Sequence, residues 1–374
     1  MSKKVVARYK IEYVQVLDEN GKVDAKFLPD ISNKELLGVY RLMLRTRLFD
    51  SKGLLLQRQG RVGTLASCQG QEATQVGAAY AVGKDDWIFP LYRDWGAFIA
   101  RGAPLHQLYQ YSAGDERSMN LPKAVNLFPI QICVGSQALH AVGAAMAASL
   151  KGESWASLVF LGDGATSVGD VSEAMNFAGV FVAPVVFVIE NNQWAISVSR
   201  SCAICKGRFP CSCQSMAQTL AQKAFAAGIS GVQVDGMDVL AVIKVVGDAL
   251  IKARNGKGPS VIECLTYRFS DHTTADDASR YRDPKEVEQW RLKDPILRLK
   301  KFLIQKKMWS EQKDKELVVS LTKEVEDEVQ IFEKIPVPDP TDFFDWMYEY
   351  PTPDLVEQKQ ELIKILHEKK EGGK

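Results

Sequence analysis

Two apolar runs, each ending in a short polar signature, constrain this chain more than any other feature. Trp155 to Leu161 (WASLVFL) runs into Gly162-Asp163-Gly164, and Val185 to Ile189 (VVFVI) runs into Glu190-Asn191-Asn192. Both read as fully buried strands. Asp170 to Val182 between them has helical spacing, so the unit is strand, helix, strand at about the thirty-residue length of a βαβ crossover. Both strands then end on one edge of a parallel sheet, the edge at which such sheets bind ligands. Asp163 and Asn192 fall side by side there. A carboxylate and an amide oxygen are hard ligands suited to Mg²⁺, whose octahedral shell is completed by phosphate and water. Gly162 and Gly164 let the main chain approach a diphosphate, and the following helix offers its N-terminus to negative charge. The two loops suit a metal-bound diphosphate.

The rest of the chain repeats the alternation. Val14 to Leu17 with a turn at Glu19-Asn20-Gly21 predicts a hairpin. Ser32-Asn33-Lys34-Glu35 predicts a capping box that opens a long helix through Leu36, Val39, Tyr40, Met43 and Leu55. Ser136 to Leu150 reads as a close-packed helix rich in small residues. Gly231 to Val234 reads as a strand, Asp238 to Arg254 as a helix and Ser260 to Tyr267 as a strand. The expected fold is α/β: a doubly wound, mostly parallel sheet with helices on both faces. The expected divisions are an N-terminal arm at 1–32, the α/β domain at 33–283 and a charged helical region at 284–374.

Composition removes other classes. A formal net charge of +1 over 374 residues lacks the basic surplus that nucleic acid requires. No run reaches the length of a membrane span, and Met1-Ser2-Lys3-Lys4 leads into charged sequence rather than a signal core. A cytoplasmic enzyme is the simplest expectation. Seven cysteines, an odd number in so long a chain, do not suggest a disulfide framework.

GDGATSVGD, followed by EAMNFAG and ENNQWAIS, resembles the thiamine-diphosphate motif. The spacing and flanks resemble the alpha subunits of the decarboxylating component of 2-oxo acid dehydrogenase complexes, nearest to bacterial pyruvate dehydrogenases, over nearly the whole chain. The rival reading of GDGATSVG as a dinucleotide fingerprint needs Gly or Ala where Ser167 stands. The resemblance implies the thiamine-diphosphate-binding fold. It also implies Mg²⁺ held by Asp163, Asn192 and the main-chain oxygen of Trp194. Tyr92, Arg93, Gly162, Gly164, Ala165 and His272 then attend the diphosphate, and the main chain at Ile132 and Val134 meets the aminopyrimidine ring. His272, in YRFSDHTTADDASRYR, corresponds to a histidine tied to proton delivery during transfer to a lipoyl group.

The implied reaction is oxidative decarboxylation of pyruvate with acetyl transfer to the lipoyl group of an acyltransferase partner. Branched-chain 2-oxo acids or acetoin remain alternative substrates, because Gly63 to Cys68 carries smaller side chains than relatives often show. A catalytically silent scaffold with the same fold is the rival of another class. The carboxylate that must face the aminopyrimidine has no matching motif here. The resemblance assigns it to a separate beta chain, in an assembly of two alpha and two beta chains. Kinase control is not expected, since Thr273-Thr274-Ala275 stands in place of a phosphorylatable serine pattern. Cys202, Cys205, Cys211 and Cys213 sit in a stretch longer than relatives have. They could hold one tetrahedral Zn²⁺, form a redox-responsive dithiol, or line a plain surface loop.

Overall fold

The computed structural model describes residues 3–200, 213–345 and 347–372. Its eight strands are β1 (Tyr13–Val14), β2 (Trp87–Phe89), β3 (Ser157–Gly162), β4 (Val185–Asn191), β5 (Trp194–Ala195), β6 (Val198–Ser199), β7 (Ser230–Asp235) and β8 (Ser260–Leu265). Six form one parallel sheet in the order β1-β7-β8-β4-β3-β2, and β5-β6 is a separate small hairpin. The α-helices are α1 (Asn33–Arg58), α2 (Glu72–Ala81), α3 (Trp95–Ala100), α4 (Leu105–Ser112), α5 (Ser136–Lys151), α6 (Gly169–Val180), α7 (Val239–Arg254), α8 (Pro284–Arg291), α9 (Pro295–Gln305), α10 (Glu311–Glu333) and α11 (Pro353–Gly372). No described helix is long and apolar enough to cross a membrane.

Unbroken apolar strands make sense only if both faces are covered, and they are. Leu158 and Phe160 of β3, with Val186 and Val188 of β4, enter a core built by α1, α2 and α7. Val159 and Leu161, with Val185, Phe187 and Ile189, enter a second core built by α5 and α6. The period-two alternation of a strand sorts one apolar run into two cores. Small residues on α5 (Ala138, Ala141, Ala145) and α6 (Ala174, Ala178) fill that second layer.

The register carries the site. β3 pairs with β4 so that Gly162 lies opposite Glu190. The GDG turn and the Glu190-Asn191-Asn192 turn therefore leave the same sheet edge side by side, as the βαβ reading expects. The predicted capping box forms as well: Glu35 Oε2 accepts from Ser32 N at 2.9 Å, and Ser32 Oγ accepts from Glu35 N at 3.3 Å.

The N-terminal hairpin forms only at its turn. Tyr13 and Val14 join the main sheet in parallel with Gln233 and Val234, and only one antiparallel bridge, Leu17 to Val23, remains of the hairpin. The turn closes where expected, with Asp18 N donating to the Lys22 carbonyl at 2.9 Å and Asp24 N to the Val16 carbonyl at 2.8 Å. Val16 N and Leu17 N donate instead to Asp238 Oδ2 at 2.7 and 2.6 Å, so the hairpin does not lengthen.

Residues 1–329 form one compact unit and 330–374 a second. Within the second, Lys359 Nζ donates to Asp345 at 2.6 Å, and Phe344 and Leu355 are buried.

Candidate active site

β3 delivers Asp163 to the sheet edge in a single turn of 3₁₀ helix (Gly164–Ser167), and Thr166 N and Oγ1 both donate to the Asp163 carbonyl. The Asp163 side chain is 2% exposed, and its Oδ2 has no partner among the described residues. Burial pushes the carboxyl up to about 6, while the Gly164 main chain and the charges of Arg268 and Arg200 act against the rise. A buried carboxylate oxygen with no donor is costly unless a cation or a proton joins it. At Gly164 a Cβ would press on Ala195 Cβ at 3.2 Å, so glycine lets the turn lie close against the small hairpin.

The second turn separates the two asparagines by the strand pleat. Asn191 is anchored: its Nδ2 donates to Glu263 Oε1 at 2.7 Å, and its Oδ1 accepts from Gln193 N at 3.2 Å. Asn192 lines the cleft instead. Its Oδ1 accepts from Trp194 N and its Nδ2 donates to Gln71 Oε1, each at 3.2 Å. The chain then reverses through two residues in the left-handed region, Gln193 (φ 72) and Ile196 (φ 56). For a β-branched residue such as Ile196 that is a true outlier, at a cost on the order of 1–3 kcal/mol. Arg268 holds the reversal, donating from NH1 to the Trp194 carbonyl at 3.3 Å and from NH2 to the Ile196 carbonyl at 2.9 Å.

A cationic group closes the opposite side. Arg93 is 3% exposed; its NH1 donates to the Ser67 carbonyl at 2.6 Å, and its NH2 donates to His272 Nδ1 and the His272 carbonyl at 3.0 Å. Arg268 NH1 donates to the same Nδ1 at 3.2 Å. An imidazole nitrogen that faces two guanidinium groups must accept, so the ring proton resides on Nε2. Burial, and then Arg93 and Arg268, lower His272 to about 3. The ring is neutral, with one donor left to use.

One cleft of about 270 Å³ collects these groups. Of the residues singled out in the sequence, Tyr92, Arg93, Val134, Gly162, Asp163, Gly164, Ala165, Asn192, Trp194 and His272 line it. Ile132 does not line it. Its side chain is 61% exposed beside Val134 at 51%, so the two form an open rim. Among the described residues no group of three or more His, Cys, Asp or Glu side chains could hold a metal. The cation reading therefore rests on the mixed set of Asp163, Asn192 and the Trp194 main chain. Cys202, Cys205 and Cys211 lie outside the described residues, and the expected cysteine cluster with them.

Nine cleft residues lie outside the sequence-predicted set, among them Gln71, Gln137, Glu190 and Gln214. Glu190 stands in the Glu-Asn-Asn signature, so its position was in view without its role. It forms a buried acid pair with Asp94, the residue after Arg93. Burial raises both, Asp94 well above its usual range and Glu190 to about 7. Their mutual proximity adds to the burial that raises Asp94, while Leu91 N donates to Asp94 Oδ2 at 2.7 Å. Gln137 Nε2 donates to the Phe160 carbonyl at 2.9 Å, which ties the start of α5 to β3. The residues from Gly63 to Cys68, expected near the substrate, do not line the cleft. Their main chain is held from inside, with Trp95 Nε1 donating to the Ala66 carbonyl at 2.8 Å.

Comparison with known proteins adds a family. The model of the family described as dehydrogenase E1 component matches residues 40–341. The chain is 39% identical over 351 residues to the pyruvate dehydrogenase E1 component subunit alpha of Staphylococcus aureus strain Mu50, covering 93% of this chain and 92% of that one. The same identity and coverage hold for the pyruvate dehydrogenase E1 component subunit alpha of a Staphylococcus epidermidis strain.

Proposed function

The chain belongs to the dehydrogenase E1 component family, and on that premise we propose that it is the alpha half of a thiamine-diphosphate-dependent enzyme that oxidatively decarboxylates pyruvate. The acetyl group passes to the lipoyl group of an acyltransferase partner. One observation carries the reading: Asp163 and Asn192 stand together at the carboxyl ends of β3 and β4, with a buried Asp163 oxygen that nothing in the described chain satisfies.

The residues fit the cofactor. A single carboxylate, an amide oxygen and a main-chain oxygen (Asp163, Asn192, Trp194) make a half shell that suits Mg²⁺, which leaves its remaining positions to phosphate and water. Arg93 brings a fixed fork of donors to phosphate oxygens, beside Tyr92 and the main chain of Gly162, Gly164 and Ala165. The rim at Ile132 and Val134 offers main-chain groups to the aminopyrimidine. Bound there, thiamine diphosphate supplies the carbon nucleophile and the electron sink that decarboxylation of a 2-oxo acid needs.

The chain's own part is to bind, orient and hold protons. Arg93 and Arg268 fix the tautomer of His272, so that Nε2–H is its one donor toward the cleft. Asp276 keeps the loop in place by accepting from His272 N at 2.9 Å. We assign the Nε2 proton to hydrogen bonding at the diphosphate and to the reductive acyl transfer. The carboxylate that activates the aminopyrimidine comes from a beta chain, and two alpha and two beta chains form the working enzyme in the cytoplasm.

The test is decarboxylation by the co-expressed pair across pyruvate, 2-oxobutyrate and 2-oxoisovalerate. Pyruvate should give the highest kcat/KM. A clear preference for 2-oxoisovalerate would replace pyruvate with branched-chain substrates.

A further inference from the structure

A carboxamide serves a cation only through its oxygen, and half a turn about its last bond presents nitrogen instead. Asn192 is held against that half turn from two sides. The main-chain N–H of Trp194 can only donate, and it sits 3.2 Å from Oδ1. Nδ2 therefore faces Gln71, whose Oε1 accepts from it at 3.2 Å. With the amide reversed, Trp194 N–H would meet an NH₂ group and Gln71 Oε1 would meet an oxygen.

We propose that Gln71 is a positioning residue for the metal: it keeps the Asn192 carboxamide turned so that its oxygen is available to the cation. The proposal deepens the cofactor reading above and rests on it. Gln71 is fully buried, lines the cleft, and has a main chain held on both sides. Its own N–H donates to the Cys68 carbonyl at 2.9 Å. It follows Gly70, where φ is +94 and a Cβ would come within 2.1 Å of the Tyr267 carbonyl oxygen. It precedes Glu72, whose Oε2 accepts from Gly70 N at 2.9 Å and whose other oxygen is taken by Arg47.

The arrangement also strands a donor. With Oε1 committed to Asn192, Gln71 Nε2 is buried and has no partner among the described residues. Methionine would fill the same space with no polar atom of its own to satisfy, so packing alone gives no reason for an amide here. Orientation of Asn192 does.

The experiment uses the full chain assembled with its partner subunit. Calorimetry follows thiamine diphosphate binding over a Mg²⁺ series for the parent, Gln71→Met and Gln71→Glu, with circular dichroism as the fold control. Gln71→Met should raise the Mg²⁺ concentration for half-saturation by about ten- to a hundredfold, the usual effect of losing a group that orients a metal ligand. Saturating Mg²⁺ should restore most of the cofactor affinity. Gln71→Glu keeps an oxygen toward Asn192 Nδ2 and should stay near the parent or bind Mg²⁺ more tightly. If the methionine chain does not fold, Gln71→Asn draws the oxygen back by one methylene and should show the same raised Mg²⁺ requirement. An unchanged Mg²⁺ requirement in Gln71→Met or Gln71→Asn overturns the proposal, as does a Gln71→Glu chain impaired as much as they are. A parent chain that binds no thiamine diphosphate with Mg²⁺ overturns the cofactor reading, and this inference with it.

Discussion

Asp163 and His272 stand at opposite sides of the cleft, and burial works on them in opposite senses. For Asp163 the account predicts a clean separation of binding from folding. Its Oδ2 supports nothing else in the described chain, so Asp163→Ala should keep its circular dichroism spectrum and lose thiamine diphosphate affinity in Mg²⁺ on the order of a hundredfold or more. Calorimetric affinity within a few-fold of the parent would remove Asp163 from the metal. His272 gives a pH dependence. In the folded chain it takes a proton only at about 3, against 6.5 for an unperturbed imidazole. Between those values the unfolded state binds more protons, so this group's contribution to stability is complete above about pH 6.5 and is lost on acidification below it. The buried carboxyls Asp163, Asp238 and Glu190 are raised and act in the opposite sense, so the test is a difference. As pH drops from about 7 to about 4.5, the urea midpoint of the cofactor-free parent should fall relative to that of His272→Gln. Parallel curves for the two chains would contradict the neutral, doubly bonded ring.

At the scale of elements, what could be read from the sequence tracks how local its cause is. β3, β4, α5, α6 and α7 follow from apolar runs and spacing within each segment, and the Ser32 capping box from two residues three apart. The site residues on those elements came with them, because a βαβ unit dictates where Asp163 and Asn192 emerge. The N-terminal turn was legible, but the docking of Val16 and Leu17 was not, because their donors go to Asp238, more than two hundred residues away in sequence. Gln71 and Gln137 were hidden for a related reason: a glutamine carries no periodicity, and its role depends on what the fold sets against it. Asp238 makes the element-scale prediction. The same carboxylate caps α7, accepting from Leu240 N at 3.0 Å and Ala241 N at 3.2 Å. Asp238→Ala leaves four buried main-chain donors unsatisfied and should cost about 3 kcal/mol or more in urea unfolding, with Asp238→Asn recovering part of it. A loss below about 1 kcal/mol would mean that the N-terminal segment finds other partners.

For the whole molecule the issue is incompleteness. Asp163 and Glu190 are the two carboxylates that line the cleft among the described residues. The first belongs to the metal in this account, and the second is buried beside Asp94 with its pKa pushed up to about 7. Neither lies at the exposed rim of Ile132 and Val134, and the carboxylate that activates the aminopyrimidine is assigned to a beta chain. The most direct measurement is carbon dioxide release from pyruvate, with thiamine diphosphate and Mg²⁺ present, by the purified chain alone and after addition of its beta partner. The account predicts no turnover from the single chain and steady turnover from the pair, abolished again by a chelator. Steady release by the single chain, or none from the pair with both cofactors present, would contradict it.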